Sequence, residues 1–519
     1  MGDSKKVLAE AEARVAEWRK THAQTPQLLA FLRHALQEEL FHSAVALRLN
    51  TEVLLYEHKL AEASASFYAY RETQHMLLLA AGSGADVEVD AQAPCLALVS
   101  DMLTFALRQG GLTAARGVAE LEEYVDRLEK VFKEPDAAQF AALRARIAVA
   151  TALHSQSDGA FQRSAEAGHA EFAKVANPDA ETQYAHALLL VLTRGAGSAF
   201  APALAAFREA PTTAQYALLL AQILSADNQL APALEVAQSV FRAETPRAQL
   251  LLLDRVALLD LKKTQILLEE GLRGQEAALG ELVQFIELVA DLFEVSAAPK
   301  PAPALHPVTS RRHWSLFSRK SAAANGTANG TANGAANGAH EGARAGNGAN
   351  ARMSDENARI VAHSWVWISQ QYAKHGFVDD ARTALAEAER VCPRACELEG
   401  FAEVHGVRGY LETKPPAALR AYADALQAVP TNATAGVGAA RALAGMATLT
   451  DPQLELAVAL SSALESACWR LPARFAPEVW HARGILYEKL GEAADARDAL
   501  IRAVELEERR GITPYVTIV

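Results

Sequence analysis

The chain has 519 residues, half of them hydrophobic but only 7% aromatic, with a formal net charge of -12 and a pI of about 5.7. A chain this long accommodates two or more domains and a large buried core. Its acidic balance argues against sequence-independent nucleic-acid binding, which depends on neutralising phosphates, so nucleic acid is not an expected partner.

At the start, Met1-Gly2-Asp3-Ser4-Lys5-Lys6 leads into a charged helical pattern rather than an apolar signal core. Gly2 lacks the Ser or Thr that a myristoylation motif wants where Lys6 stands. No segment reaches the ~18–20 uninterrupted apolar residues that span a bilayer. The most apolar stretch, Tyr184 to Leu192, is short and contains His186. A soluble, cytoplasmic chain is the expectation, brought to a membrane only by recruitment.

Alanine and leucine dominate, and Glu, Arg, Gln and Lys fill most other positions, all strong helix formers. Period-two runs of Val, Ile and Thr are scarce, so the fold class is all-α. Region 1–295 reads as an N-terminal array of helical hairpins. Leu54–Glu57 with Ala61–Tyr70 suggests one. Tyr184 to Phe207 suggests another, with Gly195 and Gly197 at its turn. Tyr216, Asn228, Ala233, Ala237 and Pro246 suggest a third, and 248–272 the next repeat.

Residues 296–352 read as a disordered linker. Pro299, Pro301, Pro303 and Pro307 deny a helix its donors, and an Asn/Gly/Thr/Ala tract follows from Asn325. Almost nothing in it is apolar beyond alanine, so burial cannot offset ordering entropy. One island differs. Arg311, Arg312, Trp314, Ser315, Phe317, Ser318, Arg319 and Lys320 combine cations, large aromatics and two serines. That chemistry suits peripheral contact with an anionic membrane, reversed by phosphorylation of Ser315 or Ser318. A solvated basic stretch or a docking motif for a protein fits the same residues.

Region 353–519 carries the clearest repeats. Trp365, Tyr372, Gly376, Ala381, Leu385, Ala388 and Pro393 stand at the spacings of a tetratricopeptide repeat, a helical hairpin of about 34 residues. The frame returns as Trp480, Gly484, Tyr487, Gly491, Ala496, Leu500 and Ala503. Trp365 and Tyr372 lie two turns apart on one helix face, where they can pack on the next helix. Gly376 permits the tight turn, and the alanines let helices A and B approach closely. A weaker copy holds Ala402, Gly406, Gly409, Ala418, Tyr422, Ala425 and Pro430, and 433–466 is helical but degenerate. The fold expectation is therefore a tetratricopeptide-repeat superhelical solenoid with an internal linker.

Catalytic patterns are missing. There is no phosphate-binding loop, no H-E-x-x-H, no G-x-S-x-G and no kinase set. Cys392 and Cys396 lack a second Cys/His pair, and with Cys95 and Cys468 they read as reduced, buried thiols. We expect no enzyme, no metal and no cofactor. A clamp for the acidic terminus of a chaperone needs Lys, Arg and Asn on successive A helices. Val366, Gln370, His481 and Ile485 occupy those places.

From about 360 to 519 the chain resembles the tetratricopeptide-repeat protein 7 family, which includes a yeast cargo-transport protein. The resemblance lies in the Trp365…Tyr372…Gly376 and Trp480…Gly491 repeats. It also lies in Ala503-Val504-Glu505-Leu506-Glu507 followed by Thr513-Pro514-Tyr515-Val516-Thr517-Ile518, and in the long internal insertion. It implies a non-catalytic scaffold that places a type III phosphatidylinositol 4-kinase at the plasma membrane, with a link to endocytosis. The implied partners are the lipid kinase, a palmitoylated membrane-anchor protein and a small helical protein. Plant relatives are described as calmodulin-binding. The alternative is a generic cytosolic tetratricopeptide adaptor in another complex, such as transport or cell-cycle machinery.

Overall fold

The computed structural model describes residues 2–293 and 355–508, apart from 22–24, 39, 41, 58, 83–89, 109–111, 133–135, 156–157, 244–249, 251, 392–396, 413, 447 and 469–475. The linker expected at 296–352, with its basic-aromatic island Arg311–Lys320, lies outside the described residues, as does Pro393.

Among the described residues there are 22 helices and no strand. In chain order they are α1 (Gly2–Thr21), α2 (Thr25–Glu38), α3 (Ala44–Tyr56), α4 (Leu60–Gly82), α5 (Gln92–Arg108), α6 (Leu112–Val131), α7 (Ala137–Leu153) and α8 (Asp158–Phe172). Next come α9 (Ala180–Arg194), α10 (Ala196–Glu209), α11 (Ala214–Ala226), α12 (Leu230–Arg242), α13 (Leu252–Arg273) and α14 (Gln275–Leu292). After 354 follow α15 (Asp355–Lys374), α16 (Val378–Val391), α17 (Glu397–Leu411), α18 (Pro415–Ala428), α19 (Ala433–Ala444), α20 (Asp451–Cys468), α21 (Pro477–Leu490) and α22 (Ala493–Glu508).

Local chemistry sets many of the helix starts. Ser43, Asp136, Asp179 and Asn432 each accept a hydrogen bond from a first-turn backbone N–H. These bonds satisfy donors that have no partner within the helix. Pro415 and Pro477 open α18 and α21, where a missing N–H costs nothing.

Packing divides the chain into two compact units, with the divisions at Ala278/Leu279 and Leu454/Glu455. In the first unit, consecutive helices pair as hairpins: α3 with α4, α7 with α8, α9 with α10, α11 with α12, and α21 with α22. Successive odd-numbered helices from α1 to α13 also touch one another, whereas the even-numbered ones do so far less. The odd helices are therefore the closely spaced layer, and unequal spacing of this kind is what curves a solenoid. The second unit repeats the scheme, with α15, α17 and α19 in one layer and α16 and α18 behind it. The architecture is an all-α helical-repeat solenoid of the tetratricopeptide type.

One segment departs from the expected repeat. Where a repeat was expected at 248–272, the described residues from Leu252 onward form not a hairpin but one 22-residue helix, α13. Neither Gly nor Pro interrupts the sequence from Leu252 to Glu270, and the positive-φ glycine that ends the helix is Gly274. Every residue from Leu258 to Glu269 is buried. Lys263 Nζ meets Asp260 Oδ1 at 3.0 Å, and Thr264 Oγ1 donates to the Asp260 carbonyl at 2.9 Å. A helix covered on all sides must pair its charges in this way.

A candidate interaction surface on the odd-helix layer

The repeat residues read from the sequence are placed as follows. Trp365 is 5% exposed, and Ala381, Leu385 and Ala388 are buried in the facing helix α16. Ser369 Oγ donates to the Ala381 carbonyl at 2.7 Å, a direct tie between α15 and α16. Tyr372 is half-buried and meets Phe377 edge-on, with ring centroids 6.4 Å apart. Burial pushes its phenol up to about 12. Gly376 has φ +82°, a conformation that side chains with a Cβ resist. Next to Trp365, Trp367 is buried edge-on against Phe285 at 5.2 Å.

In the hairpin of α21 and α22, Gly484, Ala496 and Ala503 are buried. A Cβ on Gly484 would come within 2.7 Å of Leu500, so glycine sets the helix spacing there. Gly491 caps α21 in the left-handed region at φ +82°. Trp480 and Tyr487 are only half-buried, unlike Trp365. They flank the Arg483 guanidinium, which lies 5.6 Å from the Trp480 ring and donates to Tyr487 Oη at 2.8 Å and Glu465 Oε1 at 3.0 Å. At the clamp positions, Val366 is buried, Gln370 and Ile485 are half-buried and His481 is exposed.

Pairwise sequence spacing missed a second feature. Each odd helix from α1 to α11 contributes one charged or phenolic group to a continuous track. Arg19 of α1 grips Glu52 of α3 with two bonds of 2.6 Å. Asp101 of α5 is next, and then Arg146 of α7, which is 2% exposed. Arg146 donates to Ser100 Oγ at 2.6 Å and Thr104 Oγ1 at 2.7 Å, and its Nη2 stands 3.9 Å from Glu181 Oε2 of α9. Tyr216 of α11 donates to Glu181 Oε1 at 2.9 Å. The sequence signal was Arg146 itself, which directly precedes the apolar run Ile147–Ala150.

Asp101 differs from its neighbours. It is reached by solvent and has no ion-pair or hydrogen-bond partner among the described residues. The crowded surroundings strip water from its carboxyl, and Glu52 and Glu181 repel its charge. Arg146 and Arg19 only partly offset this, and the group is pushed up to about 6. The track thus holds three carboxylates against two guanidiniums, with one carboxylate free to engage an incoming group.

Thiols and metals add little chemistry. Cys95 and Cys468 are buried and free, each pushed up to about 11, mainly by burial. Cys392 and Cys396 lie outside the described residues. Among the described residues no group of three His, Cys, Asp or Glu is placed to hold a metal, and no helix is long and apolar enough to cross a membrane.

No protein-family model matches the chain, and no curated protein matches it in sequence. Solved structures do. A crystal structure of Ypp1 aligns over 98% of this chain and 72% of its own, with a TM-score of 0.52 and 15% sequence identity. A human IFIT1 dimer with PPP-AAAA aligns over 96% of this chain and 94% of its own, at a TM-score of 0.43 and 12% identity. At these identities the likeness is one of fold, and the Ypp1 alignment extends it along nearly the whole chain.

Proposed function

We propose that this protein is a non-catalytic scaffold that helps assemble a phosphatidylinositol 4-kinase complex at the plasma membrane, with a link to endocytosis. The observation that carries the scaffold role is the odd-helix layer itself. It is an extended face that runs through successive repeats, with a polar track on it and a carboxylate left open. Solenoids of this kind bind proteins along such faces. The lipid-kinase assignment, the membrane anchor and the small helical partner draw their support from the resemblance of residues 360–519 described above. On this proposal the repeat residues Trp365, Tyr372, Gly376, Trp480, Gly484 and Gly491 hold the curvature and do not themselves touch a partner. The island Arg311–Lys320 adds a weak attraction to anionic lipid.

The test is affinity purification of the full chain from its own cells, with the co-purifying proteins identified by mass spectrometry. Recovery of a phosphatidylinositol 4-kinase supports the full proposal. A stable assembly without that kinase rejects the lipid-kinase assignment and leaves the generic adaptor. Lipid-kinase or hydrolase activity in the purified chain alone rejects the scaffold.

A further inference from the structure

Where α10 begins and α11 ends, the first unit leaves an apolar groove. One wall is the start of α10, with Gly197 and Phe200, and the other is the end of α11, with Ile223, Leu224 and Asp227. Ala199 and Ala203 turn one side of α10 into the core, while Phe200 is 39% exposed. Ile223 and Leu224 are buried beneath it. The groove encloses about 160 Å³. An engineered apolar cavity of ~150 Å³ lined by similar side chains takes up benzene, so the space suits one large apolar side chain.

The α11 wall is held by its own backbone. Asn228 adopts a left-handed φ of 57°. The Gln229 N–H donates to the Leu224 carbonyl at 2.8 Å, and the Asp227 N–H donates to the Ile223 carbonyl at 3.2 Å. These bonds close the helix end and fix the positions of Ile223 and Leu224. Gln229 Nε2 donates to Asp227 Oδ2 at 2.7 Å, which orients the carboxylate. Asp227 is exposed, has no ion-pair partner among the described residues, and stands at the negative end of α11. An apolar floor with one unneutralised carboxylate at its rim favours an occupant that is apolar and cationic at once.

We propose that this groove binds a peptide segment of a partner protein in which one large apolar side chain stands beside a lysine or arginine. The apolar side chain fills the space against Phe200, Ile223 and Leu224, as anchors do in protein interfaces, and the cation pairs with Asp227. Nothing lies within 4 Å of where a Cβ on Gly197 would stand, so the peptide backbone can pass there. The groove is at the opposite end of α11 from Tyr216 and the polar track. It gives the scaffold a second point of contact and holds whether or not the partner is a lipid kinase.

A random-peptide phage library selected on the full chain, with each selected peptide then titrated against variants, tests the assignment. Gly197→Leu fills the groove mouth without meeting another atom of the chain, so its melting curve should match that of the original protein. It should weaken the peptides at least about tenfold, the share that one buried apolar anchor supplies. Asp227→Asn keeps the hydrogen bond from Gln229 and should weaken them about threefold at low salt. Peptides that lose binding to Gly197→Leu should carry a large apolar residue within a few positions of Lys or Arg. The proposal is overturned if no selected peptide is weakened by Gly197→Leu, or if those that are weakened lack either residue type. A concentration-dependent dimer of the original chain that Gly197→Leu abolishes also overturns it, because a second copy then fills the groove.

Discussion

Substituting Gly438 with alanine probes how closely the odd helices of the second unit pack. Tyr422 of α18 is buried with its ring wedged between Gly409 of α17 and Gly438 of α19. A Cβ on Gly409 would stand 2.6 Å from the ring, and one on Gly438 would stand closer still. Neither ring nor backbone can yield without moving a helix. Overpacking of this kind costs about 1–3 kcal/mol. Alanine in a helix interior returns up to about 1 kcal/mol of propensity relative to glycine. The steric term wins, for a net loss of about 1–2 kcal/mol in local stability. Hydrogen exchange of peptides from α17–α19 in the full chain reads that loss as a roughly five- to thirtyfold rise in exchange rate. The second arm of the experiment is Tyr422→Ala, which removes the ring and costs about 3–5 kcal/mol alone. In that background Gly438→Ala should become neutral or stabilising, since only the propensity term remains. Slower exchange in the Gly438→Ala single variant, or an equal penalty with and without the ring, would refute the steric argument.

Three further outcomes follow from the geometry. Trp365→Ala should cost about 3–5 kcal/mol because the ring is buried, while Trp480→Ala should cost clearly less because that ring is half-buried; melting curves of the two variants rank them. Asp101 has a carboxyl raised to about 6 in the folded protein against an ordinary value near 4, so the folded state binds its proton more tightly, and this group's contribution to stability falls as pH rises from about 4 to about 6 and stays low above that. Asp101→Asn should therefore raise the melting temperature at pH 7.5 more than at pH 4, and an equal shift at both would contradict the assignment. Cys95 and Cys468, buried and raised to about 11, should stay unmodified by iodoacetamide at pH 8 in the folded chain and react once urea unfolds it, as peptide mass spectrometry will read.

Several features were legible in the sequence because they are local. Gly376 and Gly491 stand where helices must stop, and both adopt the positive φ that glycine tolerates. Ala381 and Ala388 recur at a spacing that keeps them on one helix face, and both are buried. Other features were not. The bare motif treats Trp365 and Trp480 as equivalent, yet one is buried and the other shares its face with Arg483 and solvent. Residues 248–272 fit the repeat rhythm, yet from Leu252 on they belong to a single helix, because neither Gly nor Pro interrupts Leu252–Glu270.

Composition and periodicity alone determined that the chain is helical, that it repeats, and where several of its turns fall. These depend on backbone sterics and on neighbours three or four residues away. Only the tertiary structure decided which distant residues meet. Arg19 and Glu52 are 33 residues apart in sequence, and Arg146 and Thr104 are 42 apart. The slot for Tyr422 is shared by glycines on two different helices. Such partnerships arise from the stacking of hairpins, and the rise from one repeat to the next, not the order of residues within a repeat, selects which side chains face each other.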